Sequence, residues 1–151
     1  MMRGLIILGA ALLAGCASVE PTVSAVEKNT PAQDRLSPVT LSPGECGLFV
    51  WTADADKRFI LFSQSRKASG RWLSKGRSQD LSIDAEDGIF VQGQYSGVVF
   101  KTGDGQALSL MLGEHQTISD GTRFKYGVLK HKSGEGWERV TPVVGLAACQ
   151  S

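Results

Sequence analysis

The chain has 151 residues, 42% of them hydrophobic, with 18 glycines, three cysteines and two histidines. Its 16 Lys+Arg face 15 Asp+Glu for a formal net charge of +1, so there is no global electrostatic pull toward nucleic acid. Two histidines and three cysteines also leave little material for a multi-ligand metal site.

The first element in chain order is an address. Arg3 precedes an apolar stretch from Leu5 to Leu13, and small residues lead into Leu13-Ala14-Gly15-Cys16. The stretch falls well short of the roughly 20 apolar residues that span a bilayer, and no Ala-x-Ala site stands behind it. The run resembles the bacterial lipoprotein signal with its Leu-Ala-Gly-Cys box. That resemblance implies cleavage after Gly15, with lipid on the Cys16 sulfur and on the new amino terminus. One acyl chain anchors a protein only marginally, whereas two or more anchor it stably. Ala17 and Ser18 follow, with no Asp directly after Cys16, and by likeness to enterobacterial sorting this implies the outer membrane, facing the periplasm. The expected division is 1–15 signal peptide, 16–43 lipidated Cys16 and flexible tether, and 44–151 a single β domain.

With Cys16 assigned to lipid, Cys46 and Cys149 remain in a compartment where disulfides form and persist, and they are expected to pair. The bond would tie the first strand of the folded region to the last. Between Cys16 and the domain, Ala17 to Pro43 is rich in Ser, Thr, Val, Ala and Pro without a sustained apolar period. Taken as a flexible coil, these 27 residues have a reach of roughly 30 Å.

From Gly47 onward, short β-branched and aromatic runs alternate with Gly, Asp and Ser turns, the pattern of an all-β fold. Expected strands are Leu48–Thr52, Arg58–Gln64, Trp72–Ser74, Leu81–Ile83, Ile89–Gln94, Gly97–Thr102, Gln106–Leu112, Thr122–Lys132 and Trp137–Val144. Gly103-Asp104-Gly105 suits a tight hairpin turn, and Ser133-Gly134-Glu135-Gly136 makes the last connection. Asp54-Ala55-Asp56 and Asp84-Ala85-Glu86-Asp87-Gly88 read as solvated turns, since neither has the spacing of a calcium loop. In the Thr122 strand, Phe124, Tyr126 and Val128 alternate with Arg123, Lys125 and Gly127, which predicts one buried and one wet face. Pro142 removes a ladder donor and predicts an edge or a bulge. The whole predicts a small antiparallel barrel or sandwich of about eight to nine short strands.

No catalytic spacing is present: there is no Gly-x-Ser-x-Gly and no Ser-x-x-Lys, and Cys46 and Cys149 are committed to each other. His115 falls in a Gly-Glu-His-Gln turn and His131 among lysines, neither with a partner at metal-ligand spacing. The expectation is a non-enzyme with no cofactor or metal. The strongest asymmetry is basic: Lys57, Arg58, Arg66, Lys67, Arg71, Lys75 and Arg77 occur without an intervening acid, with Trp72 among them. Such a stretch is a candidate anion-binding patch for acidic phospholipid, peptidoglycan or an envelope protein, or a set of solvated hairpin loops. Trp51, Trp72, Trp137, Phe49, Phe59, Phe62, Phe90, Phe100 and Phe124 are assigned chiefly to the core.

Glu45-Cys46-Gly47-Leu48-Phe49-Val50-Trp51 and the tail Gly136-Trp137-Glu138-Arg139-Val140 through Pro142-Val143-Val144-Gly145-Leu146 to Cys149 resemble the ends of uncharacterised alphaproteobacterial lipoproteins. The layout is also similar to the membrane-bound C-type lysozyme inhibitors, small lipid-anchored barrels with a disulfide between first and last strands. Ser119-Asp120-Gly121-Thr122-Arg123-Phe124 and Trp72-Leu73-Ser74-Lys75-Gly76 are loosely similar to two of that family's segments, but in reversed order, so no inhibitory residue carries over. The reading is a lipid-anchored envelope protein with a structural or binding role, the alternative being a binder or inhibitor of a cell-wall hydrolase.

Overall fold

The structure is a computed structural model that describes residues 31–151. The expected signal sequence, Cys16 and the first part of the expected tether lie outside the described residues. Nine strands follow in order: β1 (Cys46–Thr52), β2 (Phe59–Gln64), β3 (Ser69–Ser74), β4 (Arg77–Val91), β5 (Gln94–Thr102), β6 (Ala107–Leu112), β7 (His115–Ile118), β8 (Gly121–Lys132) and β9 (Glu138–Cys149). Every pairing is antiparallel, in the order β6-β5-β4-β3-β2-β1-β9-β8-β7, and β6 also pairs with β8. That pairing closes eight strands into a barrel. The ninth, β7, lies end to end with β6 along the same side of β8, the two joined by Gly113 donating to the Tyr126 carbonyl and Lys125 to that of Glu114.

Closure follows from period-two patterning. Along β6, Leu108, Leu110 and Leu112 point inward and alternate with exposed or half-buried neighbours, and along β5 Val98, Phe100 and Thr102 do the same. Leu48, Leu61, Phe124 and Val143 meet them inside, each fully buried. Burial of such a side chain contributes about 1.5–3 kcal/mol, so the barrel interior is the principal source of stability.

The sequence expectations require several corrections. Leu81–Ile83 and the first three residues of the expected Ile89–Gln94 strand are parts of one 15-residue strand, β4, which ends at Val91, and Asp84 to Gly88 is strand rather than turn. Two bulges accommodate it, one between Ile83 and Ala85 and one between Asp87 and Phe90, with Gly88 at φ 78° in the second. The turn falls instead at Gln92-Gly93, where φ values of 48° and 67° give the left-handed pair that a two-residue hairpin requires. His115 is in strand β7 rather than a turn. In β8 a bulge between Phe124 and Gly127 inverts the alternation, so Phe124 is buried, Tyr126 is exposed and Leu129 returns inside. Pro142 sits in β9, which is central between β1 and β8 and not an edge. Its carbonyl accepts from Ala53, just past the end of β1, so the missing donor faces a place where that ladder has already ended.

Residues 31–43, read above as tether, belong to the folded unit that begins at Pro31. Gln33 donates to the Gly76 carbonyl at 2.8 Å, Leu36 to that of Phe59 at 2.7 Å, and Gly44 to that of Gln150 at 2.8 Å. Leu36 is 2% exposed, because the outer face of β1 and β2 is apolar and needs a cover.

Cys46 and Cys149 form the disulfide, directly opposite each other on β1 and β9 and 103 residues apart in sequence. Cross-linking a loop of about 100 residues stabilises by up to about 4.7 kcal/mol in the chain-entropy model. Replacing both cysteines by Ala is expected to cost about 2–5 kcal/mol in urea or guanidinium unfolding. A cost under about 1 kcal/mol would show that strand pairing alone holds the ends.

Candidate functional site

The candidate site is on the barrel's outer wall. On β1, Leu48, Val50 and Thr52 point inward, which sends Phe49 and Trp51 outward. A bulge in β2, where Val50 pairs with Leu61 but Trp51 with Phe59, places Phe59 beside them. The rings form one platform: Phe49 lies 6.2 Å from Trp51, 6.0 Å from Phe59 and 5.1 Å from Phe62, and Trp51 lies 5.6 Å from Phe59. Such spacings lie in the range where aromatic pairs attract.

The segment from Ala32 to Val39 runs over this platform and leaves a cleft of about 750 Å³, bounded by Leu36, Val39, Phe49, Trp51 and Phe59, with Lys57, Asp34 and Arg35 at its margin. The volume is within the range of small-ligand sites. Asp34 and Arg35 pair at 2.7 Å, and the hydrogen bond from Arg35 holds the Asp34 carboxyl below its usual range. Next to the cleft, the Thr52 hydroxyl donates to Asp54 at 2.7 Å and accepts from the Arg58 amide at 2.9 Å, while Arg58 pairs with Asp54 at 3.3 Å. The Thr52 hydrogen bond, then Arg58, keep the Asp54 carboxyl ionised below its usual range. Asp54 is thus paired with the Arg58 guanidinium, whose buried Nε has no partner, and the Lys57 ammonium has no ion pair among the described residues. An aromatic floor with a cation at the edge can hold an apolar or CH-rich ligand that carries a negative group.

The structure does not bring the eight residues of the basic stretch together. Lys57, Arg58, Lys75 and Arg77 lie at one rim, in or beside the β1–β2 and β3–β4 turns, whereas Arg66 and Lys67 lie at the opposite rim in a 3-10 turn, Ser65–Lys67. Lys67 is paired with Glu45 at 2.5 Å. Arg71 projects from the wall between them, its guanidinium 5.9 Å from the Phe62 ring centre. Trp72 is 8% exposed and belongs to the barrel interior, so it is a core residue and not part of a patch. Only Lys57 of the eight borders the cleft.

Of the aromatics assigned to the core, Phe100 and Phe124 are there, but Phe49, Trp51 and Phe59 line the cleft, and Phe90 and Trp137 are exposed. The unbroken apolar run Leu48-Phe49-Val50-Trp51 carried a signal for this. A strand apolar on both faces must be covered on both, and Leu36, Val39 and Leu41 precede it at the right distance to cover the outer one. Among the described residues no group of three or more His, Cys, Asp or Glu is placed to hold a metal ion, and no helix is long and apolar enough to cross a membrane.

His131 stands at the rim of the turns, its ring 4.7 Å from that of Trp72 and its Nε2 2.8 Å from Gln106 Oε1. Burial lowers its pKa from 6.5, Asp104 opposes that shift, and Arg139 and Lys75 add to it. No family model matches the chain, and neither a curated protein nor a solved structure matches it.

Because the folded protein holds His131 neutral where the unfolded chain would take a proton, its contribution is complete above the unfolded pKa of about 6.5 and is lost as pH falls through the lower folded value. The thermal midpoint is therefore expected to drop between pH 7.5 and 5, and to drop less in His131→Gln. Equal pH slopes for the two proteins would exclude His131 as the source.

Proposed function

We propose that this chain is a lipid-anchored cell-envelope protein whose barrel has a non-catalytic binding role, with the aromatic cleft as its seat. The cleft carries the binding part of this reading: three aromatic side chains face outward instead of filling the core, under a segment that leaves about 750 Å³ open beside them. The anchor part rests on Leu13-Ala14-Gly15-Cys16. Together they favour a ligand of the envelope itself, and the chemistry of the cleft fits a peptidoglycan fragment, in which the CH-rich faces of sugar rings stack on Trp51 and Phe59 while a carboxylate meets Lys57.

Two measurements test the two parts separately. Cys16→Ala is expected to release the protein from membranes in a carbonate wash, and retention equal to wild type would remove the lipid anchor. Titration calorimetry with soluble muropeptides is expected to show binding that weakens about tenfold or more in Trp51→Ala, corresponding to about 1.4 kcal/mol or more. Binding unchanged in Trp51→Ala would place the ligand elsewhere.

A binder or inhibitor of a cell-wall hydrolase is the second reading. It is favoured by the closed barrel with a disulfide between first and last strands. Against it, the two segments that resembled the inhibitor family end in turns at opposite rims, Lys75-Gly76 between β3 and β4 and Ser119-Asp120 before β8, so they do not form one surface, and their Trp72 and Phe124 are interior. Recovery of one soluble hydrolase from an envelope extract would favour this reading.

A further inference from the structure

Trp137 is the most exposed large hydrophobic residue described, at 76%, and it stands beside the β8–β9 turn with Val140, 50% exposed, three residues on. A single exposed tryptophan is unremarkable in itself, but three other features converge on its rim. The β1–β2, β3–β4, β5–β6 and β8–β9 turns all lie at this end of the antiparallel barrel. The folded unit also begins here, since Gln33 donates to the Gly76 carbonyl in the β3–β4 turn, and a Cβ added at Gly76 would lie 2.7 Å from that of Ala32. Finally, Lys57, Lys75, Arg77, Lys132 and Arg139 at this rim carry no ion pair among the described residues. Asp56, Glu135 and Asp104 are the opposing carboxylates there, and Asp104 is already hydrogen-bonded to the Thr102 hydroxyl. The rim is therefore net positive.

We infer that this rim is a membrane-contact surface, with Trp137 seated in the headgroup region of a bilayer that contains anionic phospholipid and the unpaired cations facing its phosphates. The inference rests on the reading of Cys16 as lipidated. Pro31 is 15 residues beyond Cys16, a covalent span of at most about 55 Å, so the rim where the folded unit begins is within that reach of the anchoring bilayer. A tryptophan presents an apolar body with a polar edge, which suits the interface rather than the hydrocarbon. The opposite rim also exposes apolar side chains, Ile89 and Phe90, but its Lys67 is neutralised by Glu45, and the folded unit does not begin there.

The test uses the full-length protein purified from bacterial membranes, with the lipid on Cys16 verified by intact mass, in vesicles of phosphatidylcholine with or without phosphatidylglycerol. Lipids brominated near the headgroup are expected to quench tryptophan emission in the phosphatidylglycerol vesicles. That quenching should fall by at least half in Trp137→Phe and stay unchanged in Phe90→Ser. Lys132→Glu with Arg139→Glu should reduce it to the level seen without phosphatidylglycerol. Equal quenching in wild type and Trp137→Phe, with lipid on Cys16 present, overturns the membrane contact and leaves the anchor intact. Absence of lipid from Cys16 overturns the anchor, and the contact with it.

Discussion

The pairing of β1 with β9 is the constraint on which the rest of this structure depends. Seven residue pairs, from Cys46 opposite Cys149 to Thr52 opposite Val143, join the beginning and the end of the domain. Loop-closure entropy opposes bringing together strands so far apart in sequence, and the disulfide removes part of that cost from the unfolded chain. Fixing β1 in this register also decides which side of it is inside. Leu48 and Val50 complete the barrel interior, and Phe49 and Trp51 are left on the wall where residues 32–39 run over them. The cleft is thus a consequence of the same pairing that closes the fold.

The clamp has a second role in shape. The β4–β5 hairpin is longer than its neighbours and bends at two bulges, so that its tip crosses the mouth of the barrel and reaches the disulfide. Gly93 approaches so closely that a Cβ there would lie 3.3 Å from that of Cys46, and the Gln92 carbonyl lies 3.6 Å from the Cys149 sulfur. Behind the tip, Gln94 is buried and accepts through Oε1 from the Ser65 amide at 3.1 Å. Its Nε2 and the hydroxyl of Ser63 have no protein partner. A buried polar atom left this way costs about 1–3 kcal/mol, so this mouth is less well satisfied than the leucine-rich middle of the barrel.

The molecule therefore divides its surface by rim and wall. One rim is closed by the hairpin and the disulfide, the wall bears the aromatic cleft, and the other rim gathers the turns with Trp137 and the unpaired cations. This division explains why a basic stretch contiguous in sequence is not contiguous in space. In an antiparallel meander, successive turns alternate between opposite ends, so Lys57 and Lys75 share a rim while Arg66 and Lys67, between them in sequence, are on the other.

The all-β class, most strand positions, the turns at Gly103-Asp104-Gly105 and Ser133-Gly134-Glu135-Gly136 and the cysteine pair were legible because they depend on local rules: period-two alternation, turn residues that tolerate left-handed φ, and two cysteines at the ends of the β-rich region. What failed locally was whatever a bulge or a partner decides. Nothing within Phe124-Lys125-Tyr126-Gly127-Val128 says that one extra residue there exposes Tyr126, because that depends on Gly145 and Val143 being its partners across the ladder. Nor does Asp84 to Gly88 look like strand until β5 is beside it, with Lys101 paired to Asp84 at 2.7 Å. The sequence by itself determined the all-β class and the pair of cysteines that joins the ends of the domain. Only the tertiary structure decided which aromatics face outward, because inside and outside exist for a strand only once the sheet has closed.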